Sequence, residues 1–320
     1  MGKTTLMYYL VLITRTLSCP LLTCFHDADK AAASILHNGV VENDSKNLTA
    51  TQRYLLCFHF KLGHLGFTHL KWLLSSGLFG PQGIHCSHKD LPNPKCQACL
   101  QGGQQHTPTS GNIHTQKNKG VLSREQLLPG QRIFSDQYVS SVPGRNYNGR
   151  GQTQSQLSYK GGTIFVDAAS SYMYLQHQLG FTAVETIKSK IAFEREAATV
   201  GIHIQQYNTD NGIYTAEEFT KQLEHSSQTI RLSGVGAHHQ NGPAENAIKN
   251  ITRRARIFML HAALHWPDHY SPSLWPLAMT YAVHLHNHTP RRHDSLSPVE
   301  IWSCSKNNYL FLQNSHPWGC

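Results

Sequence analysis

The sequence predicts an α/β protein with a small helical metal-binding unit ahead of its core. Three observations carry this. Between residues 131 and 270, short apolar runs alternate with helical repeats in the order strand, strand, strand, helix, strand, helix, strand, helix. Within that span Asp210 ends an alternating run and Glu245 lies near the start of a basic helical segment, with 34 residues between them. A carboxylate at a strand end and another near a helix start can be brought together to hold a hard divalent cation. Upstream, His59 and His64 precede Cys96 and Cys99, and two imidazoles with two thiolates satisfy a tetrahedral zinc ion.

Taken in order, residues 1–50 carry no readable motif and form an unassigned N-terminal segment. Leu6 to Ile13 is an apolar run of eight residues behind Lys3, which mimics a weak signal peptide but reads better as a buried strand or a poorly defined start. Gly2-Lys3-Thr4 lacks the upstream glycine of a phosphate-binding loop, and Leu6 stands where a myristoylation signal needs Ser or Thr. Asn43-Asp44-Ser45 and Asn47-Leu48-Thr49 are glycosylation triplets, which arise easily by chance.

Residues 51–105 hold the metal-binding unit, in which the short Cys96/Cys99 spacing lets one turn present both sulfurs. A unit this small buries little, so a bound metal would contribute much of its folding energy. His64 with His69 offers the same four-residue gap, and His85, Cys86 and His88 lie nearby, so the ligand set stays open at this point. Residues 106–130, rich in Gln, Gly, Thr, Asn and Lys, read as a linker.

The core occupies 131–270. Gln131 to Ser140 (QRIFSDQYVS) is a strand with Asp136 in its middle. A Gly-, Asn- and Gln-rich loop from Pro143 to Lys160 follows. Gly162 to Ala168 and Tyr172 to Leu179 are the next two strands, and Ala183 to Ala198 is a helix on the repeat Val184, Ile187, Ile191, Ala198. His203 to Thr209 is the fourth strand. Thr215 to Glu218 resembles a capping box that opens a helix carrying Phe219 and Leu223. Thr229 to Leu232 is the fifth strand, and Gly234 to Gly242 a glycine-rich loop.

The last core helix is tested by arithmetic. At about 100° per residue, Glu245, Lys249, Thr252, Arg253 and Arg256 share one stripe, and Ala244, Ala247, Ile248, Ile251, Ala255, Phe258 and Met259 a neighbouring one. One side can bury while the other shows a carboxylate and then cations. Residues 271–320 add a helix, Leu274 to His288, then Thr289-Pro290-Arg291-Arg292 and Ser297-Pro298-Val299-Glu300-Ile301-Trp302.

Composition sets outer bounds. A hydrophobic content of 39% in 320 residues permits one large or two modest domains with a real core. Net charge +9 favours a polyanionic partner such as nucleic acid without proving one. The eight cysteines are scattered, with a single Cys-x-x-Cys, which reads as a reduced compartment with one metal site rather than a disulfide framework. No run reaches the 18 or so apolar residues of a membrane span.

With these residues in view, the chain resembles the integrases of retroelements, most closely those of Ty1/copia-type long-terminal-repeat retrotransposons. The text NTDNG, then GVGAHHQNGPAEN, looks like their catalytic core. The run Phe58-His59 to Lys61-Leu62-Gly63-His64, followed by Cys96-Gln97-Ala98-Cys99, is similar to their His-His-Cys-Cys unit, with Phe58 in place of the usual Trp. The passage from Asn287 to Trp302 resembles their NxxP…SPxExW text, and His316-Pro317-Trp318-Gly319 the start of a segment that continues in the family, as if this were part of a polyprotein.

The resemblance implies a ribonuclease H-like core, a mixed five-stranded sheet with helices that brings Asp136, Asp210 and Glu245 to one edge as a catalytic, metal-binding triad. Asp167 competes with Asp136 for the first position; the resemblance prefers Asp136, because Asp167 falls where the family has its middle strand. It implies two Mg²⁺ (or Mn²⁺) ions per active site, Asp136 bridging both, with Asp210 and Glu245 each completing one, and one structural Zn²⁺ on His59, His64, Cys96 and Cys99. It implies 3′-end processing and strand transfer, DNA ends and target DNA as partners, a homo-oligomer, no membrane, and activity in the nucleus after a cytoplasmic particle. Lys249, Arg253 and Arg256 are expected on DNA phosphates, and Gln240 and Asn241 are expected to reach DNA from the loop. Two alternatives stand beside this: a decayed or domesticated remnant that binds DNA and zinc without catalysis, and a hydrolytic nuclease of the same fold.

Overall fold

Ile133–Gly144 is a strand with two unlike sides: Ile133 and Ser135 point one way, and Phe134, Asp136 and Tyr138 the other. This strand, β1, lies at the centre of the sheet in a computed structural model that describes residues 48–79, 92–103, 127–147, 157–234 and 241–320. The expectations for residues 1–47, for His85, Cys86 and His88, and for Gln240 lie outside the described residues.

Beside β1 run β2 (Tyr159–Asp167), β3 (Met173–Gln178), β4 (Gln206–Thr209) and β5 (Thr229–Leu232), in the order β3-β2-β1-β4-β5. β1 is antiparallel to β2, and β2 to β3; β4 is parallel to β1, and β5 to β4. This is the mixed five-stranded sheet of a ribonuclease H-like core. β1 runs four residues beyond the predicted Ser140, and its pairing with β2 shifts register between Val139 and Gly144.

The helices are α1 (Ala50–Lys61), α2 (Phe67–Ser75), α3 (Gln97–Gly102), α4 (Ala183–Thr199), α5 (Glu217–His225), α6 (Gly242–His265), α7 (Trp275–His288), α8 (Pro298–Ser303) and α9 (Leu310–Gln313). Their starts are chemically marked. Thr49 and Gln52 form a reciprocal capping box on α1, and the Thr182 side chain accepts from the Glu185 N–H at the start of α4. The capping box predicted at Thr215 is absent. Thr215 sits in a short 3-10 turn, Ile213–Thr215, its hydroxyl donates to the Gly212 carbonyl, and α5 begins at Glu217 without a side-chain cap. In α4 the apolar repeat marks the helix but not the face it buries. Val184 is exposed, whereas Thr186, Ser189, Lys190, Phe193 and Ala197 face inward. Lys190 is held there by Glu194, 2.9 Å away, whose carboxylate also accepts from Tyr207 and Gln228.

Two apolar layers sandwich the sheet. One joins Tyr138, Ile164, Val166 and Met173 to α6 and α7, and continues into Leu55, Phe58, Leu62 and Leu70 of the N-terminal helices and their connection. The other joins Ile133, Phe165 and Tyr207 to Phe193 of α4 and Phe219 and Leu223 of α5. The Asn287-to-Trp302 passage fastens this sandwich. Asn287 accepts from and donates to the backbone of Met173 on edge strand β3, and Trp302 stacks on Tyr172 with ring centres 4.8 Å apart. Ser297 and Glu300 form a capping box on α8, and the Tyr309 hydroxyl donates to the Glu300 carboxylate.

A buried imidazole tightens the α7 side. His177 Nδ1 lies 2.6 Å from the Tyr138 hydroxyl, and Nε2 lies 3.0 Å from the Pro276 carbonyl and the Thr280 hydroxyl. A carbonyl can only accept, so Nε2 carries the proton and neutral Nδ1 accepts from Tyr138. Burial pushes the His177 pKa down to about 3. A folded pKa below the unfolded value means stability is intact above about pH 6.5 and declines as pH falls, by roughly 1.4 kcal/mol per pH unit for this group. Urea midpoints at pH 7 and pH 5 should therefore differ more in the wild type than in His177→Asn; equal pH slopes would refute this role.

Candidate active site and metal centre

The register of the sheet places the acids. Ser135 pairs with Thr209 across the parallel β1/β4 ladder, and Asp136 and Asp210 are the next residues on each strand. Registered neighbours in a parallel pair share a face, and adjacent strands lie about 4.8 Å apart. Asp136 and Asp210 each follow the last registered pair, Asp136 on the face that carries Phe134 and Tyr138 and packs against α6, and the Asp210 charge acts on Asp136. Beyond Asp210, Gly212 takes φ +80°, a left-handed turn open to glycine at little cost.

Glu245 lies in the first turn of α6, which starts at Gly242 with Pro243 as its second residue and Asn241 at the N-cap position. Burial pushes the Asp136 carboxyl up to about 6, against a backbone hydrogen bond from Gln137, and the charges of Glu245 and Asp210 push it further in the same direction. The three acids thus feel one another. They are not drawn as close as a ligand cage: among the described residues, the only set of three or more His, Cys, Asp or Glu ligand atoms within 4.8 Å of one another is the His/Cys group. An acid cluster with two half-buried members, Asp136 and Asp210, and exposed Glu245 is the all-oxygen donor set a hard cation prefers.

Asp167 is occupied otherwise. Buried at the end of β2, its carboxylate accepts from the Gly130 N–H at 2.9 Å, and from the Ser170 N–H and hydroxyl at 2.7 and 2.6 Å. It builds the turn into β3.

On α6 the stripe is as the arithmetic expects: Glu245, Lys249, Thr252, Arg253 and Arg256 are exposed, and Ala244, Ala247, Ile251, Ala255 and Phe258 are buried. Arg253 reaches the far end of this stripe beside Gly103, close enough for its charge to act on Cys99. Asn241 departs from expectation. It is only 1% exposed, its Nδ2 donates to the Ser135 carbonyl at 3.1 Å, and its Oδ1 has no partner among the described residues. The side chain turns inward to join α6 to β1, and does not face out from the loop toward DNA.

The second site is built by a tight return of the chain. α1 presents His59; Gly63 and His64 then both take left-handed φ (+63° and +56°), which swings the His64 ring back over the helix. A side chain at Gly63 would also collide with Leu285 of α7. Cys96 and Cys99 come from the start of α3. Cys99 Sγ lies 3.3 Å from His59 Nε2 and 3.4 Å from His64 Nδ1, and Cys96 Sγ lies 3.4 Å from His64 Nδ1. With Zn–S about 2.3 Å and Zn–N about 2.0–2.1 Å, tetrahedral ligands stand roughly 3.3–3.8 Å apart. The donor set and its spacing therefore fit a group that could hold zinc.

The surroundings suit that use. His59 Nδ1 donates to the Leu65 carbonyl at 2.9 Å, which leaves the Nε2 lone pair aimed at the sulfurs. Burial lowers the His64 pKa, favouring neutral imidazole, and the hydrogen bond from Cys99 lowers the pKa of Cys96 while the same bond and burial raise that of Cys99, favouring one thiolate in the absence of an ion. His69, the rival at the same spacing, turns away to the Pro290 carbonyl at 2.7 Å.

Sequence reasoning passed over Ser135, Tyr214 and His261. The Ser135 hydroxyl lies 3.0 Å from that of Tyr214, and the buried His261 ring of α6 meets His64 with centres 4.9 Å apart. Adjacency to Asp136 was the one available signal for Ser135; for the other two there was none.

No family model matches this sequence, and no curated protein matches it. Among solved structures, the chain is similar to the HTLV-2 integrase catalytic core domain in complex with magnesium, at 17% identity and TM-score 0.39 over 56% of this chain and 99% of that one. It is similar to a chain of the simian T-cell lymphotropic virus intasome in complex with PP2A regulatory subunit B56 gamma, at 17% identity and TM-score 0.42, over 86% and 74%. It is also similar to the BIV integrase catalytic core domain, at 15% identity and TM-score 0.38, over 54% and 93%. Scores of this size are likenesses only; the fold is read from the strand order and register.

Proposed function

We propose that this chain is an integrase of the Ty1/copia-type retrotransposon group, a polynucleotidyl transferase that processes DNA 3′ ends and joins them to target DNA. The observation that carries the reading is the convergence of Asp136 and Asp210 at one level of the β1/β4 pair, with Glu245 in the first turn of the helix over the same face. Asp136, Asp210 and Glu245 would hold Mg²⁺ or Mn²⁺. Such ions, when bound, activate the attacking oxygen and stabilise the leaving one. His59, His64, Cys96 and Cys99 would hold one structural Zn²⁺.

The residues of the chain supply position and charge. The buried floor of the sheet keeps Asp136 fixed, while exposed Glu245 can close on an ion from the helix. Lys249, Arg253 and Arg256 offer an exposed track for DNA phosphates leading away from the acids. The reading carries with it element ends and target DNA as partners, a multimer as the working form, and the nucleus as the place of action. No helix among the described residues is long and apolar enough to cross a membrane.

The test is a Mg²⁺-dependent strand-transfer assay with a 3′-hydroxyl duplex and a supercoiled plasmid target. Joined product supports the reading. DNA binding without joining would favour a domesticated remnant, and cleavage without joining a nuclease. The phosphate track is checked separately. The triple variant Lys249→Ala, Arg253→Ala, Arg256→Ala should flatten the log–log salt dependence of DNA binding by about 0.9 per lost contact, roughly 3 in all. An unchanged slope would remove these residues from the interface.

A further inference from the structure

We propose that Ser135 is the positioning residue that sets the spacing of the three carboxylate-bearing segments; this rests on the strand-transfer reading above. Ser135 is fully buried and directly precedes Asp136. Through the ladder it pairs with Thr209, the residue before Asp210. Its hydroxyl lies 3.0 Å from the hydroxyl of Tyr214, which is 4% exposed in the 3-10 turn that follows Asp210. Its carbonyl accepts from Asn241 Nδ2 at 3.1 Å, and Asn241 is the residue that directly precedes the helix carrying Glu245. One residue therefore touches all three segments.

The two contacts act on opposite sides. Tyr214 belongs to the apolar layer against α4 and α5, whereas the Asn241 helix covers the other face. The β1/β4 pairing ends at Ser135 and Thr209, so beyond that pair no backbone ladder holds Asp136 to the Asp210 turn. The side-chain bonds of Tyr214 and Asn241 take over there. A displacement of about 1 Å in such a site costs on the order of a hundredfold in rate, so small losses of anchoring are measurable.

The experiment uses the full zinc-loaded chain and the variants Ser135→Ala, Tyr214→Phe, their double variant, and Asn241→Ala. Mn²⁺ binding is read by calorimetry without DNA, beside strand transfer, DNA affinity and melting temperature. Each single variant should bind Mn²⁺ about three- to tenfold more weakly with DNA affinity unchanged. The Ser135/Tyr214 double variant should be no weaker than the worse single, because both remove the Ser135–Tyr214 contact and Tyr214→Phe alone also removes the bond to Thr163. Tyr214→Phe deletes a single oxygen, and it decides the matter alone if Ser135→Ala does not fold. Wild-type Mn²⁺ affinity in a folded Tyr214→Phe, or effects that simply multiply in the double variant, would overturn the proposal. If the wild type transfers strands while the variants bind Mn²⁺ normally, the positioning role falls and the function stands. If the wild type binds Mn²⁺ but joins no DNA, and the variants bind Mn²⁺ more weakly, the positioning role stands and the strand-transfer function falls. A wild type that binds no Mn²⁺ removes both.

Discussion

Asp210→Asn should lower strand transfer by about a thousandfold or more while leaving the fold and DNA binding intact. The substitution is isosteric and removes one negative charge. Asp210 is half-buried, and its Oδ1 accepts from the Asn211 N–H at 2.7 Å, a bond an amide oxygen can keep. The stability change should therefore be within about 1 kcal/mol. The cost falls on ion binding, where a carboxylate ligand is worth several kcal/mol of transition-state stabilisation, and about 4 kcal/mol corresponds to a thousandfold. Asp136→Asn and Glu245→Gln should behave alike, and combining any two should add little, because the acids act as one unit. Turnover assays on folded protein decide the question: full activity in Asp210→Asn would end the metal-triad reading. Asp167→Asn is the contrasting control. It leaves the metal site untouched and, by spoiling bonds to Gly130 and Ser170, should show its effect in the melting curve.

Loss of the His/Cys ion is the second large effect. Chelation, or Cys96→Ser with Cys99→Ser, should unfold α1–α3 and lower the melting temperature of the whole chain by roughly 10 °C or more. The ion is expected to supply most of the local folding energy, on the order of 10 kcal/mol for small zinc units. The effect should not stop there. Leu55, Phe58, Leu62, Leu65 and Leu70 share one apolar cluster with Phe258 of α6 and Leu285 of α7. Gly102 of α3 packs so closely on α6 that a Cβ there would lie 2.9 Å from Ile257. Hydrogen exchange should therefore rise in the C-terminal half of α6 as well as in α1–α3 once the ion is gone. Elemental analysis should find about one zinc per chain after purification without chelator; a ratio near zero would refute the assignment.

Both sites were partly legible from residue type and spacing. Two histidines and a Cys-x-x-Cys announce a donor set whatever the fold, and Asp210 stands out by the Asn211-Gly212 that follows it. The exposed stripe of α6 was legible because helical geometry is local: position along the helix dictates which side chains share a face. The buried face of α4 was not, because Lys190 goes inward only where Glu194, Tyr207 and Gln228 wait for it. Nor was Asn241, whose neighbours in sequence suggest a loop while its partner Ser135 lies 106 residues away.

What the amino-acid sequence determined by itself is the inventory: strands by alternation, helices by period, a soft-ligand set, and a set of acids beside a basic stripe. Those properties follow from backbone geometry and side-chain chemistry acting over a few residues. Which acid is left to face Asp210 was a matter for the tertiary structure. Asp136 and Asp167 are both carboxylates on neighbouring strands, yet the β1/β4 register sets one beside Asp210, and the turn after β2 consumes the other with three hydrogen bonds. Strand register and the filling of buried acceptors depend on partners distant along the chain, and only the folded sheet brings them together.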